Sequence, residues 1–251
     1  MKSPLPYIGG KSRVARSLIE YFPPHRTFVE LFGGAGHVTC AKEPSKVEVI
    51  NDLDNEITNF FRVCQFHHEE LIRYFRFALV SRNWFEILKK TDPATLTDIQ
   101  RAFRTLYLQK NSFGGRIVSQ NFHYFRAVKP NFNPDTIADQ IERMHKRLAR
   151  VQVESLPYQQ AIEKYDTKET FFFADPPYYN KPFYRHNFEL KDYMELAERL
   201  ANLQGKFLMT LNDHSEMRKA FSRFQVSTIS FAYTCLKEGG KKFTELLIRN
   251  Y

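Results

Sequence analysis

The sequence predicts an α/β protein, in which a mostly parallel sheet is interrupted by an inserted, mainly helical lobe over residues 55–150. Three observations carry that prediction. Short apolar runs of strand length alternate with helical stretches toward both ends of the chain, the pattern left by a parallel sheet with helical crossovers. The middle of the chain has helical spacing instead. One strand-like run, 28–32, leads straight into Gly33-Gly34-Ala35-Gly36, and open α/β sheets bind their ligands at such a carboxyl end.

Residues 11–22 place Val14, Leu18, Ile19 and Phe22 at helical spacing and stop at Pro23-Pro24, which cannot continue a helix. Residues 27–32 form a short buried strand, and a helix at 36–42 follows the glycine turn. A second strand at 46–50 ends beside Asp52. From 54 to about 110 the spacing is helical, punctuated near Ser81 and at Asp92-Pro93. His67 and His68 lie in a strongly polar part of it and read as a solvated face. Residues 111–134 show no period and form an irregular basic segment, followed by a helix at 135–150. Strand-like runs then recur at 151–155, 170–174, 206–211, 226–231 and 243–249. The sheet domain is therefore expected to comprise 1–54 and 151–251, with 55–150 as the insert.

The net charge of +9 and the pI of about 9.4 point to a polyanionic partner. Their distribution says more. Residues 101–150 hold ten Lys and Arg against three acids, and no acid lies between Asp98 and Asp135. The three cysteines are far apart, with no metal-ligand spacing, so reduced thiols and no metal are expected. Residues 1–10 lack an apolar signal core, and no run approaches the roughly 20 apolar residues that span a bilayer. A cytoplasmic protein without membrane contact is the expectation, and a monomer serves it.

Glycines at 33, 34 and 36 let the backbone come close to a ligand, and the helix behind them offers unpaired N–H groups. Asp52 ends the next strand, about twenty residues after the start of the motif, where a carboxylate can accept both hydroxyls of a ribose. The glycine spacing is not G-x-G-x-x-G, which argues against a dinucleotide. A nucleoside-containing cofactor is expected.

F-F-F-A-D-P-P-Y at 171–178 is an apolar strand that ends in an acid, two prolines and an aromatic ring. Proline fixes an extended backbone and removes N–H donors, leaving the neighbourhood rich in acceptors. Asp175 and the Pro176 carbonyl can both accept from one exocyclic NH2, and Tyr178 offers a face for a stacked base. An aryl amine is a poor nucleophile because its lone pair is delocalised. Two acceptors orient it and favour the tetrahedral nitrogen that attacks a methyl-sulfonium carbon. A base inside a duplex cannot reach such a site, so it must be flipped out.

P-Y-I-G-G-K at 6–11, F-V-E-L-F-G-G-A-G at 28–36, N-D-L-D at 51–54, D-P-P-Y at 175–178 and the closing T-E-L-L-I-R-N-Y resemble, in this order, the Dam-type (D12 class) DNA adenine-N6 methyltransferases. The resemblance covers essentially the whole chain. It implies a Rossmann-like methyltransferase sheet with an inserted target-recognition lobe, S-adenosyl-L-methionine as cofactor and double-stranded DNA as partner. It also implies that Tyr7, Lys11, Phe32, Gly33, Gly34, Ala35, Gly36, Asp52 and Asp175 contact the cofactor. Asp175, Pro176, Pro177 and Tyr178 would hold a flipped adenine. Tyr7 stands where the family more often has tryptophan, and either ring can pack on the cofactor. G-K-F-L-M-T-L-N-D at 205–213 is similar to the family's strand beside the active site, and 235–243 to its basic loop before the last strand, with Lys241 as a DNA contact.

In the lobe, Arg116, Ser119, Gln120, Asn121, His123, Arg126 and Lys129 are the expected DNA contacts, a few reading base edges and the rest meeting phosphates. Residues 120–133 depart from the arginine and glycine pattern of GATC-reading members, so the resemblance does not extend to a GATC specificity. D-P-P-Y also serves cytosine-N4 methylation, which stays open beside adenine. RNA guanine and protein glutamine methyltransferases usually carry asparagine at the position of Asp175. Intact Asp52 and Asp175 argue against an inactive DNA-binding module, and the glycine spacing argues against an oxidoreductase.

Overall fold

The structure is a computed structural model and describes residues 1–123, 130, 132–232 and 242–251. Seven strands form one sheet: β1 (Thr27–Glu30), β2 (Val47–Asn51), β3 (Val151–Glu154), β4 (Thr170–Ala174), β5 (Lys206–Asn212), β6 (Gln225–Ala232) and β7 (Lys242–Arg249). Their order is β3-β2-β1-β4-β5-β7-β6. The first five strands are mutually parallel, while β7 runs antiparallel to both β5 and β6. This is the doubly wound 3-2-1-4-5-6 order with a seventh strand inserted antiparallel, a Rossmann-like sheet. Its order reverses between β1 and β4, and the crevice outside their carboxyl ends is the ligand position of this class.

The central strands are apolar without a break because both faces are covered; all five residues of β4 are buried. Side chains alternate between the faces. Val29, Val49, Phe172 and Phe207 pack beneath α8 (Tyr158–Tyr165), α9 (Leu190–Ala201) and α10 (Ser215–Ala220). Phe28, Phe171, Phe173 and Leu208 point the other way, onto α1 (Ala15–Ile19) and α2 (His37–Ala41). The helix expected at 11–22 is thus shorter, although turn hydrogen bonds such as Val14 N–H to the Lys11 carbonyl at 3.0 Å extend it on the N-terminal side.

Between β2 and β3 lie α3 (Asn55–Phe66), α4 (His68–Arg76), α5 (Arg82–Lys90), α6 (Asp98–Asn111) and α7 (Pro134–Leu148). Local chemistry sets their ends. Ser81 Oγ accepts from Trp84 N–H at 3.2 Å, Thr97 and Gln100 form a reciprocal capping box, and Asn133 caps α7 ahead of Pro134. A break at His67 that the spacing did not predict separates α3 from α4. His68 is half-buried there, its ring stacked on that of His145 with centroids 3.7 Å apart, so it is not simply a solvated residue.

The helices share one continuous core with the sheet, in which Ile50 and Val151 pack with Phe60, Tyr107 and Met144. A buried ion cluster fastens the two. Glu48 of β2 accepts from Lys42 at 2.6 Å and from both terminal nitrogens of Arg147 in α7 at 2.6 and 2.9 Å. Cys40 and Cys64 are buried free thiols, and Cys235 lies outside the described residues. Among the described residues no helix is long and apolar enough to cross a membrane.

Candidate active site

The carboxyl ends of β1, β2 and β4 open onto a cavity of about 510 Å³, within the range of small-molecule sites. Tyr7, Lys11, Phe32, Gly33, Gly34, Ala35, Asp52, Asp175 and Pro177 line it; Gly36, Pro176 and Tyr178 are not part of its lining. The three glycines serve different ends. A Cβ on Gly33 or Gly36 would meet the Ile50 side chain at 2.6 or 2.9 Å, so these two allow the turn to pack against β2. Gly34, at φ +48°, faces the Tyr7 ring, and a Cβ there would come within 3.0 Å of it.

Asp52 is held rigidly at the cavity wall. Its Oδ2 accepts from Gly34 N–H at 2.7 Å and its Oδ1 from Asp54 N–H at 2.8 Å. Burial pushes its carboxyl up to about 6 despite those donors. Asn51 shapes the same corner, since its amide donates to the Leu31 and Leu156 carbonyls and accepts from Leu156 N–H. Asp54 caps α3 and receives Arg185 at 2.6 Å, tying the segment that follows β4 across the cavity. Tyr184 of that segment stacks on Tyr7 with centroids 6.1 Å apart, and Phe188 meets Phe32 edge-on at 5.7 Å.

The opposite wall is the segment after β4. Prolines leave it few backbone donors, so side chains from neighbouring elements hold it. Thr210 Oγ1 of β5 donates to Asp175 Oδ1 at 2.7 Å. The Tyr193 hydroxyl of α9 donates to the Pro177 carbonyl at 2.5 Å. Asn212 accepts from Tyr179 N–H at 2.9 Å and returns a bond to its carbonyl. Lys11 Nζ lies 2.7 Å from both Asp175 Oδ1 and the Tyr178 hydroxyl, and 4.9 Å from the centre of the Tyr178 ring. Both contacts to Asp175 use Oδ1, which leaves Oδ2 to accept from an amine.

This geometry fits S-adenosylmethionine. Asp52 can accept from ribose hydroxyls, and the Phe32 and Phe188 rings line the same cavity. Two buried polar atoms of the lining, His37 Nδ1 and the Tyr158 hydroxyl, have no partner within the described residues and suit a polar ligand. Burial, with Lys11 and Lys2 nearby, drives His37 down to about 4, so it is neutral at physiological pH.

Of the expected DNA contacts, Arg116, Ser119, Gln120, Asn121 and His123 share one loop at 111–123. It is closed by a bridge between Ser112 and Phe122 and turns at Gly114, Gly115 and Ser119, all at positive φ. Phe113 is 62% exposed and stacks on His123 with centroids 5.3 Å apart. A Cβ on Gly115 would lie 2.9 Å from the Pro6 backbone, so the loop rests on the segment that carries Tyr7. Arg126, Lys129 and Lys241 lie outside the described residues. A second cavity of about 740 Å³ runs between the N-terminal segment and α6 and α7, with Lys2, Arg13, Lys110 and Arg143 in its lining. Lys110 bonds to Gln140 at 3.1 Å and forms no ion pair among the described residues; burial lowers its ammonium to about 8.

Sequence reasoning missed Thr210, Tyr193, Asn212, Arg185 and Glu245 as parts of this site. Strand parity is the signal for three of them. Asp175, Thr210, Asn212 and Glu245 fall on one face once β4, β5 and β7 are set side by side in register.

The chain is similar in sequence to known methyltransferases. The chain is 25% identical over 272 residues to the type II methyltransferase M1.LlaDCHI of Lactococcus lactis subsp. cremoris, covering 98% of this chain and 94% of that one. A 66-residue stretch is 36% identical to the modification methylase StsI of Streptococcus sanguinis, covering 26% of this chain and 10% of that one. A solved structure of SMU.472, a putative methyltransferase complexed with SAH, aligns with 96% of this chain at 14% identity and a TM-score of 0.38. This chain spans 52% of its length. The fold assignment rests on the strand order instead. The D12 class N6 adenine-specific DNA methyltransferase profile matches residues 7–234, and the chain belongs to that family of S-adenosylmethionine-dependent enzymes.

Proposed function

We propose that this chain is a site-specific methyltransferase that draws one adenine out of duplex DNA and methylates its N6 amino group. The observation that carries this reading is the posture of Asp175. It lines the cavity, both of its observed side-chain contacts fall on Oδ1, and Oδ2 remains for a substrate amine.

In this reading Asp52 holds the ribose hydroxyls of S-adenosylmethionine, which supplies a methyl group activated by its sulfonium. Asp175 Oδ2 and the Pro176 carbonyl accept the two N6 hydrogens, the Pro177 carbonyl being taken by Tyr193. The amine is thereby held in line with little motion left to lose. Cationic charge builds on N6 as the methyl arrives, and the Asp175 carboxylate beside it stabilises that charge. Tyr178, fixed through its hydroxyl, supplies a ring against which the extruded base stacks. Residues 55–150 form the recognition lobe. The loop at 111–123, with Arg126, Lys129 and Lys241, contacts the DNA, a few of its side chains reading base edges and the rest, with the cations around the second cavity, meeting phosphates. Adenine is favoured over cytosine by family membership.

Long-read sequencing of treated plasmid DNA gives the recognition sequence, and 2-aminopurine placed at the target then reports flipping. A fluorescence rise on adding protein at that position, and not at its neighbours, supports extrusion. A flat signal in a DNA that the enzyme binds contradicts it.

A further inference from the structure

In β7 a carboxylate, Glu245, stands directly before the buried apolar run Leu246–Ile248. Glu245 pairs with Asn212 across the antiparallel junction, so it lies on the sheet face that carries Thr210 and Asp175. It is 7% exposed, and its Oε2 is buried with no hydrogen-bond partner among the described residues. The Lys11 ammonium stands 3.6 Å away and is itself 3% exposed. Lys11 also contacts Asp175 and the Tyr178 hydroxyl, each at 2.7 Å. One buried ammonium therefore faces two carboxylates. A carboxylate so placed is unfavourable for folding, and an uncharged residue would suit the strand better. The methyl-transfer chemistry supplies a reason to keep it.

We infer that Glu245 is a positioning residue for methyl transfer: as a second carboxylate beside Lys11 it offsets the cation that already contacts Asp175 at 2.7 Å, so the site keeps negative charge next to the target amine. This inference rests on the reading of Asp175 given above. Without Glu245 the Lys11 charge on Asp175 is no longer offset, and Asp175 becomes a weaker acceptor. The site also becomes more positive by one charge, which opposes the cation forming on the amine nitrogen. The effect falls on the transfer step, because Glu245 lies outside the lining of the cavity. Among the described residues, the groups that bear on Glu245 are Lys11 from the N-terminal segment, Asp175 and Tyr178 from beyond β4, and its uncharged strand partner Asn212. Burial and Asp175 raise its carboxyl, Lys11 and the Tyr178 hydroxyl lower it, and the balance is upward. Its charge is needed, so the rate falls as pH drops through that raised value.

The test is single-turnover methylation, with enzyme in excess over unmethylated duplex DNA, for wild type, Glu245→Gln, Glu245→Asp, Lys11→Met and the Lys11→Met/Glu245→Gln pair. Glu245→Gln should lose about 10- to 100-fold in rate, as for loss of one preorganised electrostatic group. Cofactor and DNA affinities should stay within about threefold, and Glu245→Asp should recover part of the rate. In the Lys11→Met background the Gln change should cost little more, because a residue that acts through Lys11 is non-additive with it. The acid limb of the rate profile should move to lower pH in Glu245→Gln. A wild-type rate in Glu245→Gln, or an equal loss with and without Lys11, overturns the inference. If Glu245→Gln does not fold, Glu245→Asp carries the test, and a wild-type rate there overturns it. Should wild type itself transfer no methyl, the Asp175 reading fails and this inference falls with it.

Discussion

In the proposed reading Asp175 is the residue on which the chemistry turns, and Thr210 and Lys11 hold it in place. Replacing it with alanine removes the acceptor for the target amine, so methyl transfer should drop by about 10³-fold while cofactor affinity changes by no more than a few-fold. Thr210→Val is a gentler probe, since it keeps the shape and deletes one charge-assisted hydrogen bond to Oδ1. The rate should fall about tenfold with the melting temperature nearly unchanged, from the 1.5 kcal/mol or so that such a bond contributes. Full activity in a folded Thr210→Val would show that Asp175 needs no such support. Asp52 gives a pH signature. Its carboxyl sits at about 6, and ribose hydroxyls bind its ionised form better than its protonated form. Protonation therefore opposes binding, and cofactor affinity should fall as pH drops below 6, by up to about tenfold per unit. Isothermal titration across pH 5 to 8 measures this, and a flat profile would remove Asp52 from the ribose.

At the scale of elements, the helices between β2 and β3 are bound to the sheet by a core and by the buried Glu48 cluster. Glu48→Gln leaves Lys42 and Arg147 without their shared counter-charge, which should cost roughly 3 kcal/mol and lower the melting temperature by about 10 °C. A change of only a degree or two would show that the core alone holds the two parts. The basic block at 101–150 shows what a sequence leaves undecided. Arg101 pairs with Glu56 of α3 at 2.5 Å, Arg104 donates to the Leu88 carbonyl of α5 at 2.7 Å, and Arg147 belongs to the Glu48 cluster. Those cations hold the fold together, and no periodicity separates them from cations that meet DNA. Lys110, half-buried beside a cavity whose described lining holds no carboxylate, is the candidate for the second kind. Lys110→Gln should weaken DNA binding and reduce the salt slope by about one unit if a phosphate completes its site. An unchanged slope would mean that it does not.

For the whole molecule, the strands were legible because each is a short apolar run, whereas their order and the antiparallel insertion of β7 between β5 and β6 were not. The glycine turn, Asp52 and D-P-P-Y were legible because each sits at a strand end, where position in sequence and position in space coincide. Lys11 was legible through the P-Y-I-G-G-K motif, although its contact with Asp175 spans 164 positions of the chain. Glu245, Asn212 and Tyr193 were not, because their part depends on which strands and helices become neighbours. His68 read as solvated for the same reason, since its stacking partner His145 comes from α7.

The central claim is tested most directly by incubating unmethylated duplex DNA with S-adenosylmethionine and the protein, then digesting the DNA to nucleosides for mass spectrometry, with Asp175→Ala run in parallel. N6-methyladenine in the wild-type sample alone is the predicted result. N4-methylcytosine in its place, or N6-methyladenine undiminished in Asp175→Ala, would contradict the account.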